Sequence, residues 1–407
     1  MKLERIRTLI FPFIICTAVL SLISCGPKAR IAVSQLDTPG HHTFTGLKLL
    51  DLEKYPDARR EFSMAIELNK NYSKAYTGLA LVNIFTGKFD TAAENLTLGL
   101  KNAKTDDEKL FVNVARIRYY TSNKSEQKWL ESAKNQFDEA VVIDSKHTPA
   151  YYFMGLAYKE GLQFNQAVEM FSKVVQLKTD HVADADAQLK FLQKIQLARP
   201  ATEAGKRIAL VERITRADTA ALFMEELKIK ELFKKPEVKV TETPSKEAVK
   251  DTDKVADTTL KEVRNVLAEV LAPAPVKPPA NDIADHPFRK DIEGVLETGV
   301  RGLENDPKSN FNPNEVISRG EFAIMLEDIL MKLTGEKDLA ARYVSSKSLF
   351  PDVPADMPYF NAIISVASRE IMEAKNVKTG EFAPLKPLSG VEALLIIRKL
   401  KEKMILN

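Results

Sequence analysis

The chain has 407 residues, enough for two or three domains. Lys and Arg number 59 against 56 Asp and Glu. That near balance, with no clustered excess of base, excludes a nucleic-acid surface.

The first residues address the chain. Lys2, Arg5 and Arg7 precede an apolar run from Leu9 to Leu22, broken only by Pro12 and small polar residues. A positive leading stretch, a short apolar core and small residues before the cut form a secretory signal. Leu22-Ile23-Ser24-Cys25 resembles a bacterial lipobox, whose cysteine receives a diacylglyceryl group and becomes the new N-terminus. Cys16 fits worse, because bulky Ile14 and Ile15 precede it. The run is short for a spanning helix, which needs ~20 residues. The resemblance implies a lipoprotein signal peptide over 1–24, lipidation at Cys25 and a membrane anchor of three acyl chains, palmitate among them. Each buried methylene of those chains contributes ~0.8 kcal/mol. An uncleaved signal anchor is the alternative. Cleavage removes three bases and one acid and leaves a net charge of +1. Cys16 departs with the signal and Cys25 is consumed by lipid, so no disulfide is available and stability must come from buried apolar area. Gly26, standing where an aspartate would mark inner-membrane retention, implies an outer-membrane protein facing the periplasm in a two-membrane cell. In a one-membrane cell it implies the outer face of the cell membrane.

Residues 25–38 read as a tether, with Gly26, Pro27 and little periodicity, and His41-His42 is expected to be solvent-exposed beside it. A repeat follows. Small residues recur as Gly46, Ala58, Ala65; Ala80, Ala92, Gly99; Thr121, Ala133, Ala140; and Gly155, Ala167, Val174, with steps of 34, 41 and 34 residues. Phe62, Leu96, Phe137 and Phe171 keep the same beat. Small residues let paired helices approach and the large one fills the space between pairs. The seven extra residues are expected as a loop within Lys104–Leu110. Phrases such as Ala65-Ile-Glu-Leu-Asn-Lys-Asn-Tyr72 and Tyr151-Tyr-Phe-Met-Gly-Leu-Ala-Tyr158 resemble the tetratricopeptide (TPR) repeat. The resemblance covers 39–181 and implies an α-solenoid of about four helix pairs with a groove for a protein partner. Groove positions map onto Leu47, Leu81, Ile84, Arg118, Tyr152 and Lys159, with Leu50, Thr77, Ser122 and Leu156 beside them. Packing of Leu47, Leu81 and Leu156 is an equally good account of those leucines.

The second half repeats differently. Phe311-Asn-Pro-Asn-Glu-Val-Ile-Ser-Arg-Gly-Glu321 aligns with Phe382-Ala-Pro-Leu-Lys-Pro-Leu-Ser-Gly-Val-Glu392, and Asp285-His-Pro-Phe288 with Asp356-Met-Pro-Tyr359. Ile214-Thr-Arg-Ala-Asp218 supplies a third copy, preceded by Leu189, Leu192 and Leu197, with its Phe-x-Pro reduced to Ile208-Ala-Leu210. With Phe350-Pro-Asp-Val353, these features resemble the S-layer homology (SLH) domain. Three degenerate copies span 182–233, sharing a helix with the end of the repeat array, 281–333 and 346–403. A Lys/Glu/Pro-rich insertion fills 234–280 and reads as solvated. The fold class is therefore mainly α: a TPR solenoid, then a three-copy SLH-like helical body with short loops or strands.

The SLH resemblance implies clefts that bind acidic, often pyruvylated, cell-wall polysaccharide or peptidoglycan. A guanidinium fork can hold a carboxylate through two parallel hydrogen bonds. Arg216 and Arg319 occupy that position, with Asp218, Glu321, Asp285 and Asp356 beside them; Gly390 replaces the third arginine. Asp218 and Glu321 equally suit helix caps, and both arginines equally suit structural ion pairs. No histidine spacing suits a metal, and no phosphate loop, nucleophile elbow or cysteine nucleophile occurs, so neither an enzyme nor a cofactor is expected. Two roles follow: a cell-envelope lipoprotein that binds wall through its SLH half and a protein through its TPR groove, or a pilotin-like assembly factor for a secretion, pilus or outer-membrane complex, its SLH copies only structural.

Overall fold

The structure, a computed structural model, describes residues 30–125, 127–234, 280–344 and 346–405. The signal peptide, Cys25 and nearly all of the 234–280 insertion lie outside the described residues. The chain divides into two compact bodies, Met1–Leu192 and Gln193–Asn407.

In the first body four helix pairs follow one another: α1 (Pro39–Asp51) with α2 (Tyr55–Leu68), α3 (Ser73–Phe85) with α4 (Phe89–Asn102), α5 (Asp106–Ser122) with α6 (Trp129–Ile143), and α7 (Thr148–Glu160) with α8 (Phe164–Leu177). The first helices of successive pairs lie side by side. Local chemistry sets their starts. Thr38 accepts from the His41 amide ahead of Pro39, and Thr105 with Glu108 forms a reciprocal capping box. The small-residue columns do what the spacing demands. Added Cβ atoms at Gly46 and Gly78 would lie 2.7 and 2.3 Å from the Phe62 ring, which is therefore clamped from both sides. Gly155 meets Phe171 in the same way, at 2.8 Å. Gly78→Ala is expected to destabilise this body by about 1–3 kcal/mol, because the ring has no direction in which to yield. A urea midpoint equal to that of the parent would refute the clamp.

The seven extra residues do not sit at Lys104–Leu110. α5 opens after a short turn and runs 17 residues where α3 and α7 run 13, and residues 123–128 separate it from α6. An added helical turn plus three loop residues has the same length as a seven-residue loop, so column spacing alone could not tell them apart. Thr121 accordingly falls outside the Ala80 column; its hydroxyl bonds back to the Ile117 carbonyl at 2.8 Å. Val114, 34 residues after Ala80, is the buried residue there.

The described part of the tether is pinned. Arg30 forks onto Asp37, and the Arg30 amide donates to the Glu67 carbonyl. His42 is buried rather than exposed, with Nε2 2.8 Å from Asp37 and Nδ1 2.7 Å from Glu61. Burial pushes its imidazole down, but hydrogen bonds and charge from Glu61 and Asp37 outweigh burial and raise it above the usual range. A raised folded-state value means that the stabilisation is fully present below the unfolded value and is lost as pH rises through the folded one. The first body is therefore expected to melt lower at pH 9 than at pH 6, and His42→Gln to flatten that difference.

The second body holds α9's last residues (α9, Val182–Ala198), α10 (Glu203–Ala209), α11 (Arg216–Ala221) running into a π turn at Leu222–Glu226, α12 (Ile229–Leu232), α13 (Arg289–Thr298), α14 (Arg319–Thr334), α15 (Phe360–Ser368) and α16 (Gly390–Ile405). The aligned residues Ile292, Val295, Val300, Ile363, Val366 and Ile371 are all buried. In the first copy Leu192 is buried but Leu197 is 62 % exposed, and Ile195 points inward instead. No strand occurs among the described residues; isolated bridges join Thr215 to Val316 and Ser318 to Pro387.

Candidate functional sites: the three-copy ring and the repeat face

In each SLH copy one apolar residue stands four positions before the acid column. Those residues, Ile214, Ile317 and Leu388, bond in a closed cycle. Ile214 N–H donates to Leu388 O at 2.9 Å, Leu388 to Ile317 at 3.0 Å, and Ile317 to Ile214 at 2.9 Å. All three are buried, so each broken link would strand a backbone group at about 1–3 kcal/mol.

A helix starts next to each link. Thr215 with Asp218, and Ser318 with Glu321, form capping boxes that open α11 and α14. Arg216 and Arg319 hold the first helical position and reach into the next copy. Arg216 donates to the carbonyls of Phe311 (2.7 Å), Gly302 (2.6 Å) and Glu304 (2.8 Å), and its guanidinium lies 4.8 Å over the Phe311 ring. Arg319 repeats this on Phe382 (2.8 Å) and Glu373 (2.8 Å), 4.6 Å over the Phe382 ring, and pairs with Glu392. Burial pushes Arg319 down to about 10, still charged at neutral pH. Arg319 is 2 % exposed and the Arg216 side chain 12 %. Both forks are spent within the protein, on main-chain carbonyls and, for Arg319, also on Glu392. Asp285 and Asp356 stand exposed on the turns before α13 and α15.

In the third copy the arginine position is Gly390, facing Ile208, the residue aligned with Phe311 and Phe382. A Cβ at Gly390 would lie 1.6 Å from the Ile208 carbonyl oxygen. The arginine's place is filled by main chain, so no third arginine fits.

Two carboxylates that organise these loops escaped column counting. Asp282 accepts the Phe311 and Asn312 amides at 2.7 Å each, and Asp352 accepts those of Phe382 and Ala383 at 2.8 and 2.7 Å. Each holds the middle residue of Phe-x-Pro in the left-handed region, Asn312 at φ 57° and Ala383 at φ 58°. Asp352 belongs to the quoted Phe350–Val353 phrase, but Asp282 is one residue out of register with it, which hid the pair. A cavity of about 280 Å³ in this body is lined by Arg199, Arg398 and Lys401 with Glu226 and Glu402. Arg398 pairs with Glu402, whereas Arg199 has no ion pair among the described residues.

On the repeat face, Leu81, Ile84, Leu50 and Thr77 are buried packing residues, and Leu47 is half-buried against the same core. Arg118, Tyr152 and Lys159 remain partly exposed. Arg118 lies between two rings, 5.0 Å from Phe85 and 4.5 Å from Phe153. Tyr152 stacks on His181 at 4.4 Å, and Lys159 donates to Gln188 at 3.0 Å.

The S-layer homology domain family matches residues 303–323, which run from Leu303 through Phe311-Asn-Pro313 to the first turn of α14. The surface-layer 125 kDa protein of Lysinibacillus sphaericus is 33 % identical over 109 residues, 27 % of this chain and 8 % of that protein. Human tetratricopeptide repeat protein 6 is 24 % identical over 136 residues, 33 % of this chain and 25 % of that protein. The chain thus spans a quarter or less of these relatives. The crystal structure of YrrB, described as a TPR protein with an unusual peptide-binding site, overlaps 36 % of this chain and 90 % of its own at 18 % identity and a TM-score of 0.18. The chain is thus similar to a tetratricopeptide repeat protein over part of its length and carries an S-layer homology match at 303–323, in the second of the three copies of the ring.

Proposed function

We propose that this is a non-enzymatic cell-envelope lipoprotein, anchored through Cys25, that grips acidic wall polysaccharide or peptidoglycan with its SLH body and docks a protein on its TPR face. The closed cycle of three SLH copies carries the wall half of this reading, because it supports the second body as an intact SLH unit despite its drifted motifs. With both motif arginines engaged, Arg199, exposed at the rim of the cavity of about 280 Å³, is a candidate cation for an anionic polymer. The full-length protein is expected to co-sediment with purified wall and to lose that binding when secondary polymers are stripped. Arg199→Ala should weaken it. Cys25→Ser should move the protein from the membrane to the soluble or precursor fraction; unchanged detergent partitioning with the signal attached would favour an uncleaved anchor.

The spent forks of Arg216 and Arg319 favour a second role, an envelope assembly factor whose SLH copies only scaffold the TPR array. Failure to sediment with any wall preparation, with the melt intact, would select it.

A further inference from the structure

On the repeat face, Arg118 stands out among the charged groups. Its guanidinium lies between the Phe85 and Phe153 rings, yet among the described residues no carboxylate or carbonyl bonds it. Asp51 is exposed and close enough for its field to reach Arg118, without an ion pair. One helix further along, Lys159 rests on the neutral Gln188 amide, while its neighbour Glu160 is taken by Lys124. The field of Asp184 reaches Tyr152 on this face, and that of Glu160 reaches Lys159. Burial pushes both cations down, to about 10 for Arg118, by more than the fields of Asp51 and Glu160 raise them, so each has lost water without gaining an ion pair. The surround is aromatic. Tyr55 stacks on Phe85 at 5.7 Å, Phe85 is 47 % exposed, and Phe153 meets the His181 ring that stacks on Tyr152. A guanidinium fixed between rings has surrendered its rotamer freedom in advance, and its in-plane N–H groups suit a carboxylate.

We propose that the face formed by α1, α3, α5 and α7 binds an extended protein segment bearing two acidic side chains, one seated on Arg118 between Phe85 and Phe153 and the other on Lys159. This rests on the protein-docking role of the array. Packed helices lie about 8–10 Å apart, so cations on α5 and α7 ask for two separated carboxylates, which one chain terminus cannot supply.

The test uses full-length protein in detergent and a random-peptide library, with selected sequences resynthesised for fluorescence anisotropy. Selected peptides are expected to be enriched in paired Asp or Glu. Glu→Gln in such a peptide, or Arg118→Gln in the protein, should weaken binding at least about tenfold, the scale of a lost charged hydrogen bond. The two changes together should cost little more than either alone. Amidating the peptide C-terminus should change nothing. The peptide series needs no protein variant, so it stays decisive even if Arg118→Gln unfolds the array. Binders without acidic enrichment, binders indifferent to Glu→Gln, or binding lost on amidation overturn the acidic-side-chain site and leave docking standing. A library that yields no binder overturns docking itself.

Discussion

Arg319→Ala is expected to destabilise the second body by about 3–5 kcal/mol, the scale of breaking a buried charge pair. The guanidinium does three things at once: it satisfies the carbonyls of Phe382 and Glu373, covers the Phe382 ring and neutralises Glu392. Removing it strands two acceptors and opens a void. Glu392 keeps only Lys375. Arg319→Lys preserves charge but cannot span both carbonyls, and one lost buried bond costs about 1–3 kcal/mol, so it should fall between parent and alanine. Arg216→Ala should follow the same order with a smaller loss, since part of that side chain already meets water. Urea unfolding alongside wall sedimentation separates bracing from recognition. Parent-like midpoints with wall binding abolished would make Arg319 a ligand contact and refute the brace.

Column spacing made most of the architecture legible, because close-packed helices accept only small residues where they cross. Gly46, Ala58, Ala92, Gly155 and Ala167 recur for that reason, and the Phe62 and Phe171 contacts obey it. Spacing carries no depth, however. It placed Leu197 inward with Leu192, although Leu197 still lies within α9, five residues on and so on another face, whereas the aligned Val300 and Ile371 follow the ends of α13 and α15. Ile195, three residues after Leu192, is the buried one. It also put an insertion in a loop when four of the residues had lengthened α5. At the candidate sites the residue types were legible but their engagements were not. Arg319 reads equally as a sugar-binding fork and as a brace until the carbonyls of a segment more than fifty residues away arrive beside it. His42, the second of two adjacent histidines, gave no sign of the carboxylates from Asp37 and Glu61 that converge on it. The groove slot given to Arg118 rested on the misplaced insertion: with the 34-residue step kept, Arg118 aligns with Ile84.

Gly390→Arg is expected to weaken the second body by about 3–5 kcal/mol, a range that single substitutions seldom reach, instead of restoring a third anion cleft. By alignment the change looks conservative, since it returns arginine to the column of Arg216 and Arg319. Those two arginines project over a phenylalanine ring and bond the carbonyl of that phenylalanine. At Gly390 the aligned carbonyl, that of Ile208, has moved in until it would lie 1.6 Å from a Cβ, with the Ile208 carbonyl carbon at 2.5 Å. Both atoms are main chain at the end of α10, so no side-chain rotation relieves the overlap. Glycine is needed here for close backbone approach. The Gly390 amide also donates to Val211 at 2.8 Å, two residues beyond the Leu388 link of the three-copy cycle. Pushing α16 away from Ile208 would therefore strain that bond and the cycle beside it. Gly390→Ala isolates the cause, because it adds only the Cβ: it should account for most of the loss, with the guanidinium stem adding the rest. Amide exchange at Ile214, Ile317 and Leu388 should speed up together in both variants if the cycle opens as one. Unchanged melts with tighter wall binding in Gly390→Arg would mean that the contact with Ile208 yields and that a third cleft can form.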